Sequence, residues 1–258
     1  MTDTIQNSAL LSVSAAQARS YSEEELIVRV SSESDLDGLQ GLDPERIAWV
    51  EVPLELAHRE ELNLFSVDVL LTEPRSQAAK LYKLAGDRDP QLPRLSIPTE
   101  PGFADAVLIA MGLHFPIRII PIQPDEEQMV ELRTVLQRFL HDGRATQPVE
   151  PFHSALSTLL HGEGHDLWQA VEYDPAEFQR KPPHPGLEHS RSADELRRHL
   201  EESGAECGGC FLQSWCGGWF KWPDPDYDCH GVRGLFSVVE EAGTALRKDL
   251  EAAEEYGG

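Results

Sequence analysis

Arg94-Leu-Ser-Ile97, then Gly102-Phe-Ala-Asp-Ala-Val-Leu-Ile-Ala-Met-Gly112, then Ile117-Arg-Ile-Ile-Pro-Ile122, reads as strand, helix and strand in succession. The outer runs are short and β-branched. The middle run is apolar almost throughout, and Gly112 stands where a helix C-cap belongs. A strand, a crossover helix and a second strand form the repeating unit of a parallel sheet. Working outward, Leu26–Val30, Ala48–Pro53 and Val67–Leu71 read as further strands, and Ser34–Leu39 and Arg75–Leu84 as helices. Strand starts fall about twenty to thirty residues apart, which suits successive βα units. The expected class is α/β, with a partial (β/α) barrel-like domain, although periodicity alone equally allows any small α/β domain.

Downstream, Asp125–Asp142 carries one apolar stripe (Met129, Leu132, Val135, Leu136, Phe139, Leu140) and stops at Gly143, which predicts a packed helix. Phe152–Leu160 reads as a second helix. Residues 174–191 turn rich in Pro and His, as in a linker or lid. Ser192–Ser203 is a charged helix with Ser192 as N-cap and Glu195 three residues on. Leu235–Ala253 reads as a terminal amphipathic helix. Ala9–Ala16 is weakly apolar but nothing basic precedes it, so it does not read as a secretory signal. The expected organisation is a flexible lead-in at 1–22, the barrel-like domain at 23–175, a linker and helix at 176–203, and a loop-rich cysteine module with the terminal helix at 204–258.

All four cysteines lie in that last part: Cys207, Cys210, Cys216 and Cys229, spaced C-x2-C-x5-C-x12-C. Four thiolates so grouped can complete a tetrahedral metal site or hold a cubane cluster. Glycines between the first two and after the third suit tight turns whose N–H groups face bound sulfur. Phe211, Trp215, Trp219, Phe220 and Trp222 crowd the segment and would wall off water. Three readings stand: an iron–sulfur cluster, a structural zinc site, or disulfides. A single C-x2-C knuckle with x5 and x12 is an awkward zinc spacing. A chain this large and acidic does not read as a small disulfide-stapled secreted domain.

The spacing, with Gly217-Gly218 after the third cysteine, resembles the SPASM domain, the auxiliary-cluster domain of radical SAM peptide-modifying enzymes. The resemblance covers roughly residues 204–232. It implies one [4Fe–4S] cluster on Cys207, Cys210, Cys216 and Cys229, the set of that domain's outermost cluster. Where the family usually has another cysteine, four positions after Cys216, this chain has Phe220. The cysteines of the family's other auxiliary cluster are absent. So is the C-x3-C-x2-C that binds the catalytic cluster and S-adenosylmethionine, since no cysteine precedes Cys207. The resemblance therefore implies an accessory that relays electrons to, or docks on, a separate radical SAM enzyme and its peptide substrate. It does not imply a radical SAM enzyme. Zinc in a binding module without redox function is the alternative.

A net charge of −23 over 258 residues argues against nucleic acid and anionic membrane as partners and suits a partner with basic residues. No apolar run reaches the length of a membrane span, and the cytoplasm is the expected compartment. His161-Gly-Glu-Gly-His165 invites a metallohydrolase reading, but its glutamate is one position late and its glycines break a helix. His153, His184, His189 and His230 read as loop or flank residues, and Asp224, Asp226 and Asp228 as a solvated loop. Gly38–Gly41 lacks the spacing of a phosphate loop.

Overall fold

The computed structural model describes residues 11–21, 25–87, 92–161, 166–171 and 193–257. Seven strands are hydrogen-bonded in chain order: β1 (Leu11–Ser14), β2 (Leu26–Arg29), β3 (Ile47–Pro53), β4 (Val67–Leu70), β5 (Arg94–Pro98), β6 (Ile117–Ile120) and β7 (Val149–Glu150). Between and after them lie α1 (Ala15–Ala18), α2 (Glu33–Leu36), α3 (Pro74–Gln77), α4 (Leu81–Asp87), α5 (Phe103–Gly112), α6 (Glu126–His141), α7 (Phe152–His161), α8 (Leu167–Ala170), α9 (Ala193–Glu202), α10 (Gln213–Cys216) and α11 (His230–Gly257). The α/β expectation holds. Strands that follow chain order lack the reversal of a doubly wound sheet. The chain divides into two compact units, residues 1–69 and 70–258.

In the first unit β1, β2 and β3 pair in parallel, with a register shift between Leu26 and Ile27. Leu26, Ile27 and Val28 are all buried, as expected of a parallel strand covered on both faces. The lead-in expected at 1–22 is corrected over its described part: residues 11–18 form β1 and α1, with Val13, Ala15 and Ala18 buried. Gly38 is a packing residue, since a Cβ there would lie 2.9 Å from that of Ala15. Residues 1–10 and 22 lie outside the described residues.

In the second unit β5, β6 and β7 pair in parallel, Leu95 opposite Ile117 and Ile97 opposite Ile119. These four side chains are buried. Helix α5 buries Phe103, Ala106, Val107 and Ala110 and packs on α6. Gly112 is not its cap. The helix does end at Gly112, but the left-handed capping position falls two residues later, at His114 (φ 62). There the amides of His114 and Phe115 donate back to Met111 and Ala110, a Schellman closure on a non-glycine residue. Helix α6 starts on a reciprocal capping box between Asp125 and Gln128 and buries Met129, Leu132, Val135 and Leu136. Helix α11 begins five residues before the expected Leu235, packs against α7 and α6, and buries Val232, Leu235, Phe236 and Val239. No helix among the described residues is long and apolar enough to cross a membrane. The Pro- and His-rich stretch of the expected linker lies outside the described residues, and α9 matches its helical end.

Candidate functional site

The cysteine segment is built from short turns, each with a local cause. After α9, a 3-10 turn over Glu206–Gly209 brings the Cys210 amide to the Cys207 carbonyl at 3.1 Å. The single turn of α10 ends on Cys216. Gly217 and Gly218 follow with φ of 57° and 86°, a left-handed pair that only glycine adopts without cost. The position is also tight: a Cβ on Gly217 would lie 2.6 Å from the Arg197 guanidinium, and one on Gly218 2.7 Å from Leu200. This reversal turns the amides of Gly218 and Phe220 onto the Cys216 sulfur. Gly208 and Gly209 differ. A Cβ there meets no atom within 4 Å, so this turn has room for side chains.

Cys229 stands at the head of α11, its carbonyl accepting from the Arg233 amide at 2.8 Å. The acidic loop before it forms local turns: Asp224 accepts from the Asp226 amide at 2.9 Å and Asp228 from the His230 amide at 2.8 Å. His230 itself is exposed.

These turns gather the four predicted cysteines around one cavity of about 30 Å³, with Glu206, Leu212, Gln213, Gly218, Phe220, Lys221, Val232 and Arg233 among its walls. None forms a disulfide. Burial pushes the Cys216 thiol up to about 11 and that of Cys229 up to about 12, and raises Cys207 as well. Nearby cysteines add to each rise, whereas Lys221 opposes it at Cys207 and Cys229. The Lys221 side chain is 7% exposed. Its Nζ donates to the Tyr227 carbonyl at 2.6 Å and pairs with Glu206 at 2.8 Å. Glu206 also pairs with Arg233 at 3.0 Å. Its hydrogen bond to Lys221, aided by the charges of Lys221 and Arg233, holds its carboxyl below the usual range.

The expected aromatic wall is only partly formed. Phe220 lines the cavity, while Phe211 is 47% exposed. Trp215, Trp219 and Trp222 are buried but do not line the cavity. The Trp219 indole donates to the Pro121 carbonyl at 2.6 Å, and the Trp168 indole, in edge contact with Trp219, donates to the Gly217 carbonyl at 3.1 Å. Gln123, left-handed at φ 43°, gives its amide to the carbonyls of Phe220 and Asp224, and the Tyr227 hydroxyl donates to the Pro124 carbonyl. The loop leaving β6 therefore carries the cysteine module at the C-terminal end of that strand, the end where open α/β sheets place their sites.

Lys221, Glu206, Arg233 and Gln123 carried no local signal. Chain-distant pairing brings them in. Of the histidine pair considered for a metallohydrolase, His161 ends α7, and His165 lies outside the described residues, as do His184 and His189.

Chemically, four thiols, two directed amides and a buried cation suit a soft metal centre in donor type and charge. Among the described residues, however, no three His, Cys, Asp or Glu side chains are arranged to hold a metal ion: the sulfurs share a cavity without closing on a point. The chain matches no family model, no curated protein and no solved structure.

Proposed function

We propose that residues 204–258 carry one metal centre on Cys207, Cys210, Cys216 and Cys229, a [4Fe–4S] cluster. We further propose that the chain is an accessory to a separate radical SAM enzyme acting on a peptide or protein. The observation that carries this reading is the gathering of all four thiols on one cavity beside a buried lysine. When bound, a cluster with four cysteine ligands supplies one-electron transfer at a centre with no vacant iron. The chain's own residues do the rest. The Gly218 and Phe220 amides stabilise charge on Cys216, Phe220 excludes water, and the β6–α6 loop fixes the module to the sheet. The SPASM resemblance supplies the enzyme partner, and the acidity of the chain suits a docking surface of basic residues.

A second reading, structural zinc, is favoured by the cavity size. About 30 Å³ is on the scale of a single water or ion, smaller than a cubane.

Anaerobic purification followed by iron, sulfide and zinc analysis separates the two readings. About four irons and four sulfides per chain with a reducible cubane EPR signal support the first; one zinc without sulfide supports the second. Cys216→Ala should abolish assembly of either centre. An unchanged cubane spectrum in that variant would sink the ligand assignment.

A further inference from the structure

We propose that copies of this chain join head to tail, the end of α11 of one copy seating in a groove along α5 of the next, a contact that does not involve the cysteines. Along α11, Val232, Phe236, Val239, Gly243, Leu246, Leu250 and Ala253 recur at alternating steps of four and three, the spacing of a helix seam. The first four positions are buried. Helix α7 runs beside them: the Phe152 ring meets that of Phe236 at 6.0 Å, and a Cβ on Gly243 would lie 3.4 Å from Leu156 and from Leu159. Helix α7 ends at His161, close to where Arg247 donates to the Leu159 carbonyl. Beyond this point the seam keeps its phase but loses its cover. Every side chain from Thr244 to Glu254 is exposed, Leu246 at 40% and Leu250 at 49%. Asp249, Glu251 and Glu254 make this end of the helix acidic.

The groove has the matching chemistry. Helix α5 is apolar almost throughout, a composition expected of a helix buried on all sides. Yet Leu108, Ile109 and Leu113 line an open cleft of about 640 Å³ together with Tyr82, which is 61% exposed. A second cleft of about 140 Å³ shares Leu108, Gly112 and Arg144 with the first, so the two make one groove. Its cations are Arg75, Arg138 and Arg144, and its acids are Asp105 and Asp142, the latter already paired with Arg138 and Arg144. Three arginines against two carboxylates leave one positive charge, in a chain with 45 acidic and 22 basic residues. That reversal of sign suits an acidic helix end with aliphatic anchors, the helix-in-groove mode of recognition. Leu246 and Leu250 supply two anchors one turn apart on the same face. The net charge of −23 opposes contact between two acidic surfaces, which disfavours pairing of α11 ends with each other and favours the groove. The two faces differ, so a joined pair keeps a free groove and a free helix end until a ring closes or a chain grows.

The test is sedimentation equilibrium of the whole chain across a concentration series up to its solubility limit. Wild type should rise above the monomer mass. Leu250→Asp in the helix end, and Arg75→Glu or Tyr82→Glu in the groove, should each weaken association by at least about tenfold. All three positions are exposed, and circular dichroism checks that each variant folds; Tyr82→Glu replaces Arg75→Glu if the latter does not. A mixture of Leu250→Asp with Arg75→Glu should form one-to-one pairs and nothing larger, because the first keeps its groove and the second keeps its helix end. A wild-type chain that stays monomeric throughout overturns the head-to-tail contact. Loss of association in Leu250→Asp with both groove variants unaffected also overturns it, since the helix end then meets another surface. So does a mixture that stays monomeric while wild type assembles, or assembly that none of the variants weakens.

Discussion

The indole N–H of Trp219 donates to the carbonyl of Pro121 at 2.6 Å, in a contact with no solvent access on either side. It ties the turn after Cys216 to the end of β6. Trp219→Phe keeps most of the ring but leaves a buried carbonyl without its donor, at a cost of about 1–3 kcal/mol. Trp219→Ala adds a cavity and should cost about 3–5 kcal/mol. Urea denaturation of the two variants checks the ordering. Equal stability of Trp219→Phe and wild type would refute the anchoring role.

The four glycines between Cys207 and Cys229 separate into two kinds. Alanine at Gly217 or Gly218 must hold a positive φ and displace Arg197 or Leu200, which should cost at least about 1–3 kcal/mol. Alanine at Gly208 or Gly209 meets open space and should stay within about 0.5 kcal/mol of wild type. Thermal melts of the four variants would show the split, or fail to.

Glu131 of α6 caps the neighbouring helix, accepting from the amides of Gly102 at 3.1 Å and Ala104 at 2.9 Å. A carboxylate at a helix N-terminus also meets the positive end of its dipole. Glu131→Ala should lose about 1.5–3 kcal/mol, the range for hydrogen bonds to a charged group. Glu131→Gln should lose less. Amide exchange in α5 gives a local readout: faster exchange at Phe103 and Ala104 is expected, and none would contradict the cap.

Asp142, the C-cap of α6, is held down to about 2, first by its hydrogen bonds from the Arg144 side chain and backbone, and then by the charges of Arg144 and Arg138. The folded value lies below the ordinary one. The contribution is therefore fully present above the usual carboxylate range and is lost as pH falls toward 2. Proton titration by NMR should find Asp142 among the lowest-titrating carboxylates, and Arg144→Ala should move it back up.

Elements governed by short-range pattern were legible from sequence. The stripe of α6 and the apolar run of α5 predict those helices because their periods reflect which face is buried. Strands β2 to β6 were legible for the same reason. β1 was missed because Leu11–Ser14 lies in a weakly apolar lead-in whose burial comes from pairing with β2. β7 was missed because two residues carry no period, and they are strand only opposite Ile117 and Arg118. Gly112 misled because His114 takes the left-handed position instead.

The sequence by itself determined the α/β alternation, the main helices and the grouping of four cysteines into one module. These follow from residue type and spacing along the chain. Only the tertiary structure decided which side chains share the cavity with those cysteines. Phe211 faces outward despite its place in the motif, Trp219 serves as an anchor, and Lys221 and Arg233 meet on Glu206. The reason is physical: burial and ion pairing depend on atoms brought together by packing, and a residue's neighbours in the chain say little about its neighbours in space.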